Sequence, residues 1–440
     1  MKAMVDRSLP DKFWRKLSIL LLLVFTAPAC AGQSAAEEVS FMVFGDPAEY
    51  NAYQELVDAF NTQQSDVYVK LTHVPSAREY RTRLVTEFAA GSPSDVTLMN
   101  YRRYASFAAS GMLEPLGPYL DQSNIISQDD FYAAAIDSFV WQGTLICLPQ
   151  NISSLVVYYN QDLFDAAGLP YPADKWSWVD FMDTAVALTQ DFDGDGQIDQ
   201  YGLGMEPSLF RLAPFVWQND APLVDDLIQP TRLTLTRPPS LAALQWFTDL
   251  HNIYGVVPGR VEEAAQDSES RFLAGTTAMF LNSRRGVPTY REIERFTWDV
   301  APLPNGKKSA GILHSDAYCL SNTAVHKDAA WSFIEFANSA TGQTIIAGSG
   351  RTVPSLKAVA ESDVFLNPGR PPSRSDVFIN NAATLQRVPV ISTWQEIESV
   401  ADEEIERAFY GDITAEEAAN LIYLRTEEYF LVAKTAVSTP

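Results

Sequence analysis

Val39, Phe41 and Val43 alternate with Ser40, Met42 and Phe44, which predicts a strand that Gly45-Asp46-Pro47 ends. Tyr50, Tyr53, Val57 and Phe60 then recur at helical spacing and predict an amphipathic helix over 48–61. Val67 to Leu71 reads as a second strand, 80–90 as a second helix closed by Gly91, and Asp95 to Met99 as a third strand. This strand-helix alternation argues for an α/β domain with a parallel sheet. In such sheets ligands sit outside the carboxyl ends of the strands, where Gly45, Asp46, Asn100 and Tyr101 fall. Further helices are predicted over 174–189, 240–254 and 328–338, the last after a strand at 317–320. The pattern closes with helices over 393–410 and 414–433, joined at Gly411-Asp412. No repeat, low-complexity block or evident linker divides the chain, which suggests two lobes woven together by several crossings.

The first residues follow another pattern. Lys2, Arg7, Lys12, Arg15 and Lys16 precede an apolar stretch over 17–25 that is short for a bilayer span but suits a signal peptide. Ala27-Pro28-Ala29-Cys30 follows. It predicts export, with lipidation of Cys30 preferred to plain cleavage after Ala29, hence a membrane-anchored lipoprotein, periplasmic or at the cell surface. Residues 1–29 would be the signal peptide and 30–38 a tether. The net charge of −23 excludes nucleic acid as a natural partner and leaves membrane attachment to the lipid alone. Cys147 and Cys319 both lie in apolar, strand-like segments, and two buried free thiols are expected there rather than a disulfide.

Enzyme signatures are missing. The four histidines form no HExxH or paired metal motif, and no GxSxG elbow, Walker loop or GxGxxG is present. Paired catalytic carboxylates remain open among 55 acidic residues, so an exported carbohydrate-active enzyme is one alternative. A surface adhesin without a small ligand is another.

Seven segments, taken together and in order, resemble the family-1 extracellular solute-binding proteins, which include oligosaccharide-binding proteins of ABC importers. They are Phe44-Gly45-Asp46 with its helix, then Pro93-Ser94-Asp95-Val96 leading to Ala108 through Leu116. Leu148-Pro149-Gln150-Asn151 runs on through Val157-Tyr158-Tyr159-Asn160 to Gly168-Leu169, and Trp176-Ser177-Trp178 to Gly202-Leu203. The others are Phe272 through Met279, Ala301-Pro302-Leu303-Pro304 with Ala329 through Phe336, and Arg351-Thr352-Val353-Pro354-Ser355. The resemblance implies an α/β fold of two lobes, type II-like among periplasmic binding proteins, with hinge crossovers near 150–154, 312–316 and 353–356 and a cleft between. The N-lobe would hold 39–151 and 315–354, the C-lobe 152–314 and 355–440. It further implies a monomer that captures a small, carbohydrate-like ligand for an ABC permease, without catalysis and without an organic cofactor.

A sugar pocket needs aromatic faces and planar polar groups. The matched positions nominate Asp46, equally readable as a helix N-cap, together with Tyr80, Asn100, Tyr101 and Arg102 after strands of the first domain. The crossing segments nominate Asn151, Ser153, Asp316 and Arg351. Glu206, Trp217, Asn219, Asn282, Arg284 and Arg285 come from the second lobe, Trp217 as an aromatic platform or a core residue. Arg284 and Arg285 stand near where family members often have a stacking Trp. With Arg102, Arg103 and Arg351 they raise the alternative of an anionic ligand, against plain surface ion pairs. Separately, Asp191, Asp193, Asp195, Gln197 and Asp199, with Gly196 at the sixth position, match the oxygen-ligand spacing of an EF-hand loop and predict structural Ca²⁺. The twelfth position, where a bidentate Glu belongs, is Gly202.

Overall fold

The computed structural model describes residues 36–434; the expected signal peptide and the expected lipidation site Cys30 lie outside them. Among the described residues, no helix is long and apolar enough to cross a membrane.

The first sheet begins with β1 (Glu37–Phe44), two residues inside the segment expected to be tether. Gly45 has φ +134°, and a Cβ there would lie 1.6 Å from Glu49 Oε2. Glycine therefore lets the chain turn tightly into α1 (Pro47–Gln63), so that Glu49 comes to rest beneath the end of β1. β2 (Val67–Val74), α2 (Ala77–Ala89), β3 (Val96–Asn100) and α3 (Tyr101–Ala109) follow, then β4 (Leu113–Glu114). α2 starts three residues before the predicted position because the Ser76 hydroxyl accepts from the Glu79 amide and fixes the first turn.

β5 (Cys147–Pro149) leads to the second sheet, made of β6 (Val156–Asn160), β7 (Tyr201–Gly204), β8 (Thr277–Asn282) and β9 (Trp298–Ala301). β10 (Asp316–Ser321) then returns to the first. The order is β2-β1-β3-β10-β4 in the first sheet, with β5 also on β10, and β9-β6-β8-β7 in the second. β1 pairs in parallel with β2 and β3, as the alternation predicts, but β10 runs antiparallel to β3. A strand that arrives from the other sheet is free of the right-handed crossover that keeps consecutive strands parallel.

Cys147 and Cys319 face each other across β5 and β10 and form a disulfide. This corrects the expectation of free thiols: strand pairing places the two residues opposite each other, which spacing 172 residues apart in sequence could not show.

Three connecting segments lie side by side where the lobes meet. Ser153 and His314 exchange both backbone hydrogen bonds at 2.8 Å, and the Ile152 amide donates to the Val353 carbonyl at 2.9 Å. Gln343 Nε2, from the helix Ala340–Gly348, donates to the Gln150 carbonyl and to Ser355 Oγ, each at 2.9 Å. This buried amide ties two of the crossings together and adds to the Ser355 amide's own bond to the Gln150 carbonyl.

Candidate functional site

A cavity of about 260 Å³ opens between the lobes. One wall comes from the carboxyl ends of β1 and β3 and the starts of α1, α2 and α3: Phe44, Glu49, Tyr80, Arg81, Asn100, Arg102 and Arg103. The opposite wall is Ser283 and Arg285, just past β8, and the crossing segments supply Asn151, Ser153, His314, Asp316, Arg351 and Thr352.

The polar floor is arranged by hydrogen bonds. Asn100 Nδ2 donates to Asp316 Oδ1 at 3.1 Å, and the Asp316 amide donates to Asn151 Oδ1 at 3.0 Å. These contacts orient two amides and a carboxylate toward one space. The Ser153 hydroxyl is buried on this floor without a hydrogen-bond partner, a donor and acceptor left for a ligand. Burial pushes the His314 imidazole well below its usual range, so it is neutral at ordinary pH despite Asp316 nearby. Phe44 and Tyr80 form an aromatic edge with ring centroids 4.9 Å apart. The Tyr80 hydroxyl, pinned by donating to the Leu98 carbonyl at 2.8 Å, leaves only its ring to the cavity.

Arg351 neutralises the acidic side. Its Nη1 lies 2.5 Å from Asp46 Oδ2 and its Nη2 2.6 Å from Glu49 Oε2. Desolvation by burial outweighs the charge and the contact of Arg351 and raises the Glu49 carboxyl to about 7. Arg102 is gripped by Glu398 and lies over the Phe210 ring, 4.6 Å from its centroid.

Several nominated residues lie elsewhere. Asp46 is the N-cap of α1, accepting from the Glu49 amide at 2.9 Å, and its other oxygen is taken by Arg351, so neither oxygen is left for a sugar hydroxyl. Tyr101 is fully buried, its hydroxyl accepting from the Val388 amide. Trp217 is a core residue of α4 (Leu209–Gln218), not a platform, and Asn219 ends that helix with its amide on the Pro239 carbonyl. Arg284 is buried between the Phe365 and Phe378 rings and donates to the Gly350 carbonyl and Ser375 Oγ. Burial lowers its pKa to about 9. It is a structural arginine, whereas its neighbour Arg285 is 58% exposed and faces the cavity. Glu206 and Asn282 line a smaller annex of about 190 Å³ that shares Ser283, Arg285 and His314 with the main cavity.

Sequence reading missed Phe44, Glu49, Arg81 and His314. Phe44 and His314 had a signal, since one ends β1 and the other lies in a crossing segment. Arg81 and Glu49 had none, because only the tilt of α2 and the turn at Gly45 bring them in.

In the acidic loop, the Asp191, Asp193 and Asp195 carboxylates come within 4.8 Å of one another. Asp199 accepts from the Phe192 amide, and the Gln197 side chain donates to Asp195. Three of the five expected ligands converge, and these three also accept from amides of the loop itself.

The sequence pattern of bacterial extracellular solute-binding proteins matches residues 45–344. The chain belongs to that family. A Brucella abortus protein described only as a binding protein is 22% identical over 90% of this chain and 94% of its own length. A mannitol-binding protein of Pseudomonas aeruginosa is 24% identical over 71% of this chain and 72% of its own. Among solved structures, an ABC substrate-binding protein from Listeria monocytogenes in complex with cycloalternan superimposes with a TM-score of 0.81, covering 90% of this chain and 98% of that one at 23% identity. The two-lobed fold of this solute-binding family member is thereby shown.

Proposed function

We propose that this family member captures a sugar or polyol in the cleft between its lobes and releases it unchanged to the permease of an ABC importer. The observation that carries the reading is the cavity floor, where Asn100, Asn151, Ser153 and Asp316 converge beside the Phe44–Tyr80 edge. Planar amides and a carboxylate pair with vicinal hydroxyls, and an aromatic face covers the apolar side of a sugar ring. The names of the mannitol-binding relative and the cycloalternan-bound neighbour point the same way. We read the protein as an exported monomer, anchored through lipid on Cys30.

The test is a thermal-shift screen against neutral and acidic sugars and polyols. A ligand that binds only the folded chain raises Tm by mass action and is recovered unaltered. No shift with any of them contradicts the reading, and chemical turnover of a hit favours the enzyme alternative. We also read the Asp191–Asp195 loop as a structural Ca²⁺ site of three carboxylates. Calcium should raise Tm in the same assay, and Asp193→Asn should abolish that rise. An unchanged Tm would leave the loop a solvated turn.

A further inference from the structure

The charged groups of the cavity differ in their partners. Glu49 is paired with Arg351, and Asp316 accepts from the Asn100 amide. Arg81 on α2 and Arg103 on α3 line the same cavity as Phe44, Ala77 and Leu84. The remaining cavity arginines have carboxylate partners: Arg351 has Asp46 and Glu49, Arg102 has Glu398, and Arg285 has Glu269 at 3.6 Å. Among the described residues, Arg81 and Arg103 have no carboxylate within ion-pair reach and no hydrogen-bond acceptor for their guanidinium groups.

We propose that the natural ligand carries an acid group, a carboxylate or a phosphate on a polyhydroxyl frame, held between Arg81 and Arg103 while its hydroxyls rest on Asn100, Asn151, Ser153 and Asp316. The inference rests on the sugar reading of the cleft and adds the ligand's charge and its direction in the pocket.

Two like charges on one partly apolar wall are unfavourable until an anion joins them, and guanidinium groups bind carboxylate and phosphate through paired N–H donors. Burial first, then the neighbouring Arg81 and Arg102, lower the Arg103 pKa to about 10, against the opposing charges of Glu398 and Asp316. The backbone contributes in the same sense. α2 and α3 both open onto the cavity, through Ala77 in one and Arg102 and Arg103 in the first turn of the other, and helix N-termini favour anions. The rest of the molecule opposes it, for a net charge of −23 repels anions generally. A positive wall inside such a field marks a local requirement rather than a general basic surface.

The experiment is titration calorimetry of the purified full chain with matched solutes: glucose, glucuronate and glucose 6-phosphate, then mannitol and mannitol 1-phosphate. An acid binding about tenfold or more tighter than its neutral counterpart, with affinity falling from about 50 to about 500 mM salt, is expected. Glucuronate and the phosphates separate the two sources of the charge. Arg103→Gln should weaken the acid about tenfold or more, Arg103→Lys should restore part of it, and unchanged Tm values certify both variants as folded. Neutral sugars binding as tightly as the acids, or an Arg103→Gln variant that keeps the acid's affinity, overturns the inference and leaves the sugar reading standing. Absence of binding by every compound overturns both.

Discussion

Arg102 and Glu398, 296 residues apart, form an ion pair beside the cleft that joins α3 of the first lobe to α5 (Trp394–Phe409), which packs against α4 and the final helix α6 (Ala415–Val432). Both side chains are nearly buried, so the pair cannot be replaced by water without loss. Glu398→Ala leaves the guanidinium desolvated over Phe210 and should cost about 3 kcal/mol. Urea denaturation measures this directly; an unchanged midpoint would mean that the pair is solvated in solution.

Asp402, one turn further along α5, accepts from the Leu209 amide at 2.7 Å. Desolvation, then the nearby Glu398 charge, raises its carboxyl to about 7 from 3.8. A raised folded-state pKa means that the folded chain holds a proton that the unfolded chain has already released. The stabilisation from that proton is present at low pH and is lost as pH rises through about 7. Wild type should therefore lose about 2 kcal/mol relative to Asp402→Asn between about pH 5 and pH 8. Parallel pH-stability curves for the two proteins would contradict this.

Arg284 and Arg285 are neighbours with opposite tasks. Arg284→Ala empties a buried site between two phenylalanine rings and orphans the Gly350 carbonyl, so stability should fall by about 3 kcal/mol. Arg285→Ala, at an exposed cavity wall, should leave the denaturation midpoint within about 0.5 kcal/mol and change ligand affinity instead. Measuring stability and affinity on both variants separates the roles; the reverse pattern would exchange them.

How much of this could be read in the sequence follows from the range of the interactions. Helices such as Lys327–Asn338 and α6 lie within a few residues of their predicted limits, because apolar period and capping are local signals. The crossing segments came from ordered resemblance, and their mutual pairing agrees with it. What failed was long-range. Trp217 and Arg284 carry the right chemistry for a cleft but face inward, and one position of helical or turn phase decides that. The Cys147–Cys319 bond depends on the register of two strands from distant parts of the chain. Arg81 enters the cavity only because α2 opens onto it.

Capture of the solute on the floor around Asp316, as proposed, is tested by titration calorimetry of wild type and Asp316→Ala with whichever sugar or polyol raises Tm in the screen. Removing the carboxylate takes away an acceptor and frees the Asn100 amide it orients. Affinity should fall by about tenfold or more with the fold intact, the cost of a lost charge-assisted hydrogen bond. Equal affinity in the two proteins would place the binding site elsewhere, away from Asp316.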